Sequence, residues 1–567
     1  MESEANTPPK AVSADNAPMP ASGIAAASAK AGFGRFLRGF AKNPVVVSRI
    51  FVSKVKSDPV RVAQAAADAM PSRMRPLVGR VAWPAARYVK VTTRKIMRRM
   101  ADGPLEEAKA LFEVGRMSDA VKVLHPHARW PFIRRRIAYY EGEMAAIGPD
   151  PIPPKPKVIM GDREPGRVLH MVTNALPYTQ AGYTVRTHRI VTAQRAAGLD
   201  PHVVTSWGWP MLQGHTEAEP FEEIDGVPYY RLLPKGDMPF ESRGRMIRGA
   251  ADVSELVRTL RPQVLHAATD HRNGSVALAV RERTNTPFVY EVRGFLEETW
   301  TSRDPRRIGS ERHIMQRDRE AHIMREADAV VTLAETMAAE IVERGVPRER
   351  IFLAPNAVDD SLLTAEYDGA AFRESHGIAP GEIVVGSVSS IVGYEGFATL
   401  LSAAALLRDA GTPVRVLLVG DGAERPALLE QVARLGLKDA ILPGRVGPDE
   451  ALQAQAAIDI FVCPREDLRV CRLVTPLKPV EAMALGKPVV LSDLPALSEL
   501  VGGEGAGLLV SPGDPAALAK GLASLRDDPE RRRAMGEAGR AEVAAHRTWS
   551  SLARTYTQIY QQLAETR

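Results

Sequence analysis

The chain has 567 residues, 45% of them hydrophobic and 25% charged, with a formal net charge of +6. That composition suits a globular protein of about three domains and excludes a fibrous or wholly disordered chain. Its two cysteines, Cys463 and Cys471, are too few for a disulfide framework or a Cys/His metal cluster, and no run of about 18 apolar residues is present to span a membrane.

In chain order, residues 1–31 are rich in Ala, Ser and Pro and have no positive segment ahead of an apolar core. They read as a disordered tail and not as a secretory signal. Free thiols without an export signal predict a cytoplasmic protein. Residues 31–100 hold 16 Lys or Arg against two Asp, a local balance of +14 that leaves −8 for the rest of the chain. Phe33, Phe36, Leu37 and Phe40 share one helix face, flanked by Arg35, Arg38 and Lys42. Such a helix can lie on an anionic membrane surface, placing the protein peripherally on the inner face of the plasma membrane, or it can pack on the protein itself. No recognition motif accompanies the charge, so no nucleic-acid partner is expected.

Residues 104–147 pattern as a helical hairpin. Ala108, Leu111, Gly115, Ala120 and Leu124 are spaced as in one tetratricopeptide-type repeat, and one repeat makes no solenoid. The whole of 32–148 is thus predicted as a basic helical extension. A proline-rich stretch at 149–156 marks a linker over 149–165. Beyond it, apolar runs alternate with amphipathic helices. Strands are predicted at 167–172, 202–205, 263–266, 288–292, 329–333 and 351–354, with helices at 184–197, 275–284 and 335–344. A second set places strands at 383–388, 414–419, 440–442, 458–463 and 488–491, with helices at 397–408, 425–434 and 515–525. The alternation predicts an α/β protein with two Rossmann-like, doubly wound parallel-sheet domains, residues 166–375 and 376–545, facing a cleft. Ligands of such sheets sit at the carboxyl ends of the strands.

Several segments carry candidate chemistry. Residues 174–188 lead from a strand through Gly182 into a helix, the geometry that brings backbone N–H groups close to a ligand oxygen. Gly420-Asp421-Gly422 and Gly444-Arg445-Val446 each follow a strand, where turn chemistry alone also accounts for them. In residues 473–490 a short helix with Ala482, Ala484 and Gly486 on one side leads through Pro488 into an apolar strand, with Glu481 near its start. A carboxylate there either complements the helix dipole or accepts from two neighbouring hydroxyls, such as a ribose diol. The chain ends in an amphipathic helix at 549–563 carrying Trp549, Leu552, Tyr556 and Tyr560.

Taken in this order, the segments resemble the family 4 glycosyltransferases of the GT-B fold (glycosyl transferases group 1), over residues 166–567. The resemblance implies a retaining transfer of a hexose from a UDP- or GDP-linked nucleotide-sugar donor to a saccharide or lipid-linked acceptor, in cell-surface polysaccharide or glycoconjugate synthesis. It implies no metal and no other cofactor, and no Asp-x-Asp pair is present. The terminal helix, within 546–567, would return to the first domain. Donor contacts would come from Gly420, Asp421, Gly422, Gly444, Arg445, Val446, Thr475, Lys478 and Glu481, the last on the ribose hydroxyls. Acceptor contacts would come from Gly182, Tyr183, Arg186 and His188. His266 matches a histidine of the family at a strand edge, and Arg293 lies where many members have a histidine on the catalytic side. A permanently charged Arg293 is no general base, but it can stabilise phosphate charge or pair with Glu291 or Glu297.

Three positions depart from the family. Ser390 and Glu395 stand where it has an Arg and a Lys that grip the diphosphate, and Leu473 stands where it has its first glutamate. Phosphate charge in a partly dry cleft must be neutralised. Lys478 and an arginine of the 465–472 loop are therefore expected to take over, which makes Lys478 a candidate catalytic residue beside His266 and Arg293. The same losses leave open a catalytically inactive scaffold of this fold that binds a nucleotide or sugar.

Overall fold

Residues 103–234, 238–365, 367–502 and 505–565 are described in this computed structural model; the tail at 1–31 and the basic helix expected before residue 100 lie outside them. Residues 98–209, 219–233 and 239–567 form one compact unit, which holds everything that follows. Among the described residues, 210–218 group separately and contain the short 3-10 turn Met211–Gln213.

Two sheets organise the large unit. The first runs β3-β4-β2-β1-β5-β6-β7-β8, from β1 (Glu164–Val172), β2 (Asp200–Thr205), β3 (Phe221–Ile224), β4 (Val227–Tyr230), β5 (Pro262–Ala268), β6 (Phe288–Val292), β7 (Ala329–Thr332) and β8 (Ile351–Leu353). Every pairing is parallel except β3 with β4. That hairpin was not foreseen, although its Asp225-Gly226 turn, with φ of 49° and 76°, is a typical two-residue hairpin signal. The second sheet runs β11-β10-β9-β12-β13-β14, all parallel, from β9 (Val384–Val388), β10 (Arg415–Val419), β11 (Ile441–Gly444), β12 (Ile460–Cys463), β13 (Val489–Ser492) and β14 (Leu508–Val510). Parallel strands need helices on both faces, which is why β6, β7, β9, β12 and β13 are apolar runs buried along their whole length. The doubly wound α/β architecture read from the sequence is therefore present.

The strand order reverses between β1 and β5 in the first sheet and between β9 and β12 in the second. At such switch points the outgoing loops diverge and open a crevice. The loops concerned lead into the helices α4 (Gly182–Ala196) and α6 (His271–Thr284) on the first lobe. On the second they are the stretch after β9 and the stretch after β12 that leads to helix α9 (Lys478–Ala484).

A helical hairpin, α1 (Pro104–Glu113), α2 (Met117–Leu124) and α3 (Pro131–Ile147), is held together by its own small core of Ala108, Ala120, Leu124, Ile133, Ile137 and Tyr140 and docks on the first lobe. Gly115 turns α1 into α2 at φ 87°, and a Cβ there would strike Ser310 and the Trp300 ring of α7 (Leu296–Thr301). Two carboxylates fasten the hairpin. Glu311, which opens α8 (Glu311–Glu326), accepts from the Ser118 backbone and hydroxyl, while Glu143 accepts from Ser242 N (2.7 Å) and Oγ (2.8 Å) at the start of α5 (Ser242–Leu260). The proline-rich stretch then runs back along the lobe. Arg319 donates to Pro149 O (2.7 Å), and Ile152 packs on the main core.

At the far end of the chain, α10 (Trp549–Glu565) crosses from the second lobe to the first. Its Trp549, Leu552, Tyr556, Ile559 and Tyr560 pack on Val168, Ile190, Val264, Val289 and Val331. No helix among the described residues is long and apolar enough to cross a membrane.

One buried carboxyl of this lobe is held protonated. Glu320 on α8 accepts from His271 N (2.7 Å) and Tyr290 Oη (2.6 Å). Burial, with the Glu297 and Asp270 carboxylates nearby, pushes it up to about 8. In the unfolded chain the same group ionises near its ordinary value of 4.5. The folded state thus holds a proton that the unfolded state releases, so stability falls as pH rises from about 4.5 to about 8, by on the order of 1.4 kcal/mol per pH unit. The Glu320→Gln variant should lose that slope. Urea denaturation at pH 5 and pH 8 checks it, and an unchanged slope would contradict the assignment.

Candidate active site

The two lobes meet at the carboxyl edges of their sheets. Asn356, after β8, donates from Nδ2 to Thr475 O (3.0 Å), after β12. Leu473, at the place of the family's first glutamate, is 9% exposed and belongs to the core cluster of the first lobe. The segment between β12 and α9 is thus pinned by apolar contact, not by a carboxylate. Arg469 reaches across to Glu298 (3.0 Å) and Glu340 (2.6 Å). Glu499 caps the helix Glu335–Glu343 of the other lobe by accepting from Glu335 N and from Thr336 N and Oγ1.

On the first lobe the edge is built around Glu291, a fully buried carboxylate near the end of β6. Its Oε1 accepts from Arg186 Nη2 (2.9 Å) and Tyr556 Oη (3.0 Å), and its Oε2 from Arg293 Nη2 (2.6 Å) and His266 Nε2 (3.1 Å). The register pairs His170 with His266 across β1 and β5, which stacks the two rings 4.7 Å apart. Gln194 Nε2 donates to Tyr560 Oη (3.0 Å), so that hydroxyl donates onward to His266 Nδ1 (2.7 Å) and the proton of His266 lies on Nε2, facing Glu291. Burial would raise Glu291, but the Arg293 and Arg186 guanidiniums and the His266 hydrogen bond hold it well below the ordinary carboxylate range. Burial depresses both histidines, so they are neutral near pH 7. Two guanidiniums against one carboxylate leave one positive charge in excess, and it emerges at Arg293. This side chain also donates to Thr187 Oγ1 (2.6 Å) and Tyr183 O (3.2 Å) at the start of α4.

These contacts sort the residues singled out on the first lobe. Arg293 lies at the edge. Tyr183 is about half exposed, and Gly182 has open space where a Cβ would stand. His266 lies beneath the edge, fully buried, with both ring nitrogens engaged. Arg186 is buried too, donating to Ala354 O (2.8 Å) and Pro355 O (3.0 Å) besides Glu291. His188 is held between Tyr229 Oη (2.9 Å) and Asp225 (2.8 Å). In this structure none of these last three side chains presents a free polar group to the cleft. Sequence reasoning passed over a small cavity of about 90 Å³ at the ends of β1 and β2, lined among others by Thr173, Ser206, Trp207, Arg245 and Asn273. Thr173 and Ser206 stand just past strand ends, while Arg245 and Asn273 come from the first turns of α5 and α6, a grouping visible only once the strand order is known.

On the second lobe the loops after β9 and β10 zip together. Ser389 N donates to Val419 O (2.9 Å) and Ile391 N to Asp421 O (3.0 Å). A Cβ on Gly420, at φ 143°, would collide with Ser389 O, and one on Gly422 with Ile391 O, so glycine is required at both by this backbone approach. Gly444, at φ 97°, accepts from Gly420 N (2.9 Å), and Arg445 beside it is exposed, with Val446 half-buried. Thr475 is buried, and its Oγ1 has no hydrogen-bond partner among the described residues. Lys478 Nζ pairs with Glu481 Oε2 (2.7 Å) one turn apart on α9. The expected replacement arginine is accounted for elsewhere. Arg465 is buried against Glu395 (2.7 Å) and Val474 O (3.0 Å), Arg469 bridges the lobes, and Arg472 pairs with Asp467. The glutamate that replaces the family's lysine is thus matched by Arg465. Among the described residues no group of three or more His, Cys, Asp or Glu is placed to hold a metal ion.

Comparison with known proteins agrees with this two-lobed edge. Residues 181–357 match the model of the glycosyl transferase 4-like domain, and residues 368–542 that of the glycosyl transferases group 1. A D-inositol 3-phosphate glycosyltransferase of Nocardia farcinica is 34% identical over 430 residues, 70% of this chain and 90% of its own length. The chain is a family 4 glycosyltransferase. A 2-deoxystreptamine glucosyltransferase of Streptomyces kanamyceticus is 32% identical to this glycosyltransferase over 39% of the chain and 57% of its own. In fold it is similar to sucrose-phosphate synthase of Thermosynechococcus elongatus, with a TM-score of 0.58 at 21% identity over 71% of this chain and all of that one. It is also similar to Anabaena HepE in complex with UDP and glucose, with a TM-score of 0.53 at 19% identity over 69% and 98%.

In this glycosyltransferase the Glu291 cluster is a structural keystone as well as a charge source. The Glu291→Gln variant leaves two buried guanidiniums without a counter-charge, a loss of about 3–5 kcal/mol by precedent for broken buried pairs. Urea unfolding at pH 7 checks this.

Proposed function

We propose that this glycosyltransferase takes a hexose from a UDP- or GDP-linked donor seated on the second lobe. It passes the sugar, with retention and without a metal, to a hydroxyl of a saccharide or lipid-linked acceptor on the first lobe. The observation that carries the reading is the meeting of the two carboxyl edges. Arg293, with its surplus charge, stands on one, and the Lys478–Glu481 pair with the unpartnered Thr475 hydroxyl belongs to the other.

In this reading the donor ribose takes Glu481, and Lys478 is released to the diphosphate. The Thr475 hydroxyl, which lacks a partner, donates to a phosphate oxygen. The turn at Gly444, Arg445 and Val446 receives the base, and Gly420, Asp421 and Gly422 form the close backbone approach beside it. As the glycosidic bond breaks, the sugar becomes oxocarbenium-like and negative charge grows on the departing diphosphate. Arg293 and Lys478 stabilise that charge from fixed positions. His266, neutral and buried, acts through Glu291 to position Arg293. The acceptor lies along Gly182 and Tyr183 toward the cavity of Thr173, Ser206, Trp207, Arg245 and Asn273, while Arg186 and His188 hold the wall behind it. The basic stretch at 31–100 supports a membrane surface as the place where a lipid-linked acceptor is met. The N. farcinica relative acts, by its name, on an inositol phosphate, which makes a ring-hydroxyl acceptor with an anionic substituent a further candidate.

The competing reading, a binding scaffold without turnover, draws on Ser390, Glu395 and Leu473. Incubating the purified full chain with UDP-glucose or GDP-mannose and measuring nucleoside diphosphate release separates the two, and proton NMR of the anomeric centre reports retention. Loss of one charge-assisted contact is worth about 1.5–3 kcal/mol, so Lys478→Ala should weaken donor binding on the order of 10- to 100-fold by calorimetry and leave acceptor KM unchanged. Unaltered donor affinity would remove Lys478 from the site.

A further inference from the structure

Between the helical hairpin and the first lobe lies a cavity of about 290 Å³, whose hairpin wall (Phe112, Tyr139, Glu143) lies outside the segments that the family models match and whose other wall lies within them. Its floor and walls combine two kinds of group. Phe112, Tyr139 and Trp300 supply aromatic surface, and Glu143, His271, Arg272, Arg312 and Gln316 supply polar atoms. Ser242 and Arg272 line both this cavity and the smaller one at the ends of β1 and β2, so the two adjoin.

Three of the polar groups have no hydrogen-bond partner among the described residues. Gln316 is 6% exposed, and its amide forms no hydrogen bond. His271 is 8% exposed, and its Nδ1 is unpartnered, the nearest carboxyl oxygen being Glu320 Oε1 at 4.0 Å. The Arg312 guanidinium lies over the Trp300 ring at 4.6 Å and makes no hydrogen bond. The other charges around the cavity are matched. Arg272 is paired with Asp270. Glu143 is capped by Ser242 N and Oγ and has Arg245 at 3.9 Å. Arg312, half-buried, feels the Glu143 carboxylate but forms no side-chain hydrogen bond among the described residues, so its N–H donors remain open to an anion in this polar space.

We propose that this cavity is a binding subsite for one sugar ring bearing an anionic group, carboxylate or phosphate, built jointly by the hairpin and the first lobe. The aromatic walls take the apolar face of the ring, Gln316 and His271 take hydroxyls, and Arg312 takes the anion. The size is at the lower end of ligand pockets, about 300–1,000 Å³, and fits a single ring. Its shared border with the smaller cavity makes it the distal end of an extended acceptor. That last role rests on the proposed acceptor side, but the binding itself does not.

The test uses the full chain and calorimetry without donor, with methyl β-D-glucuronide, glucose 6-phosphate and methyl β-D-glucoside as probes, and UDP-glucose titrated separately. Saturable binding of the glucuronide or the phosphate, at least tenfold tighter than the neutral glucoside, is expected, and whichever acid binds tighter identifies the anion. Arg312→Gln should weaken the acidic probes at least tenfold, Arg312→Lys less, and neither should alter the UDP-glucose affinity. Gln316→Leu provides a second variant should Arg312→Gln melt early, and it too should weaken all three sugars. Equal binding of acidic and neutral sugars, binding indifferent to both variants, or no sugar binding while UDP-glucose binds normally would each overturn the proposal. Sugar binding without UDP-glucose binding would instead count against the donor site and leave this subsite standing.

Discussion

Everything at the first lobe's edge depends on one carboxylate. Glu291 gathers Arg186, Arg293, His266 and Tyr556 around two oxygens inside the protein. A buried carboxylate is tolerable only when it is fully matched, and here the match is over-complete by one guanidinium. The surplus is what turns a stability device into an electrostatic one. A cation held by packing needs little rearrangement when charge develops on a neighbour, which is the condition for useful electrostatic stabilisation. The cluster also ties together distant parts of the chain. Tyr556 and Tyr560 arrive from the terminal helix, which follows the second lobe, so a segment from beyond the second lobe closes the network behind the first lobe's edge.

The same economy of charge explains the departures on the second lobe. A glutamate at the place of a family lysine is a poor neighbour for phosphate if it stands alone. Glu395 does not stand alone, since Arg465 lies against it and the pair is buried together. Leu473 likewise exchanges a polar function for an apolar contact that anchors the segment leading to Thr475, Lys478 and Glu481. These replacements are mutually consistent in the fold, as a set of contacts rather than scattered losses.

Much of the architecture was legible in the sequence because parallel strands buried on both faces leave almost continuous apolar runs, as at 329–332 and 460–463. The β3–β4 hairpin escaped notice because its two strands are only four residues each and neither is a continuous buried run. Side-chain roles were harder. Arg186 and His188 sit on a helix whose sequence gives no apolar stripe, so nothing local indicated that both point inward. Their burial follows from partners 105 and 41 residues away. The fate of Arg465 was equally invisible, since its partner Glu395 is 70 residues off. Long-range pairing of charge leaves no periodic trace, and residues such as Gln316 and Arg312 declare themselves only by lacking side-chain hydrogen-bond partners among the described residues.

The hairpin is an extension of the two-lobed fold, yet one of its side chains adds an acceptor at the start of a helix of the lobe it leans on. Glu143 supplies the acceptor that the first free amide of α5 requires, and α5 walls the cavity of Trp207 and Arg245. A fragment trimmed back to the start of β1 would look like a whole transferase by homology. It would leave the Ser242 amide and hydroxyl without the Glu143 carboxylate and bare the face on which α3 had lain, with only Glu241 left to cap α5 at Gly244 N.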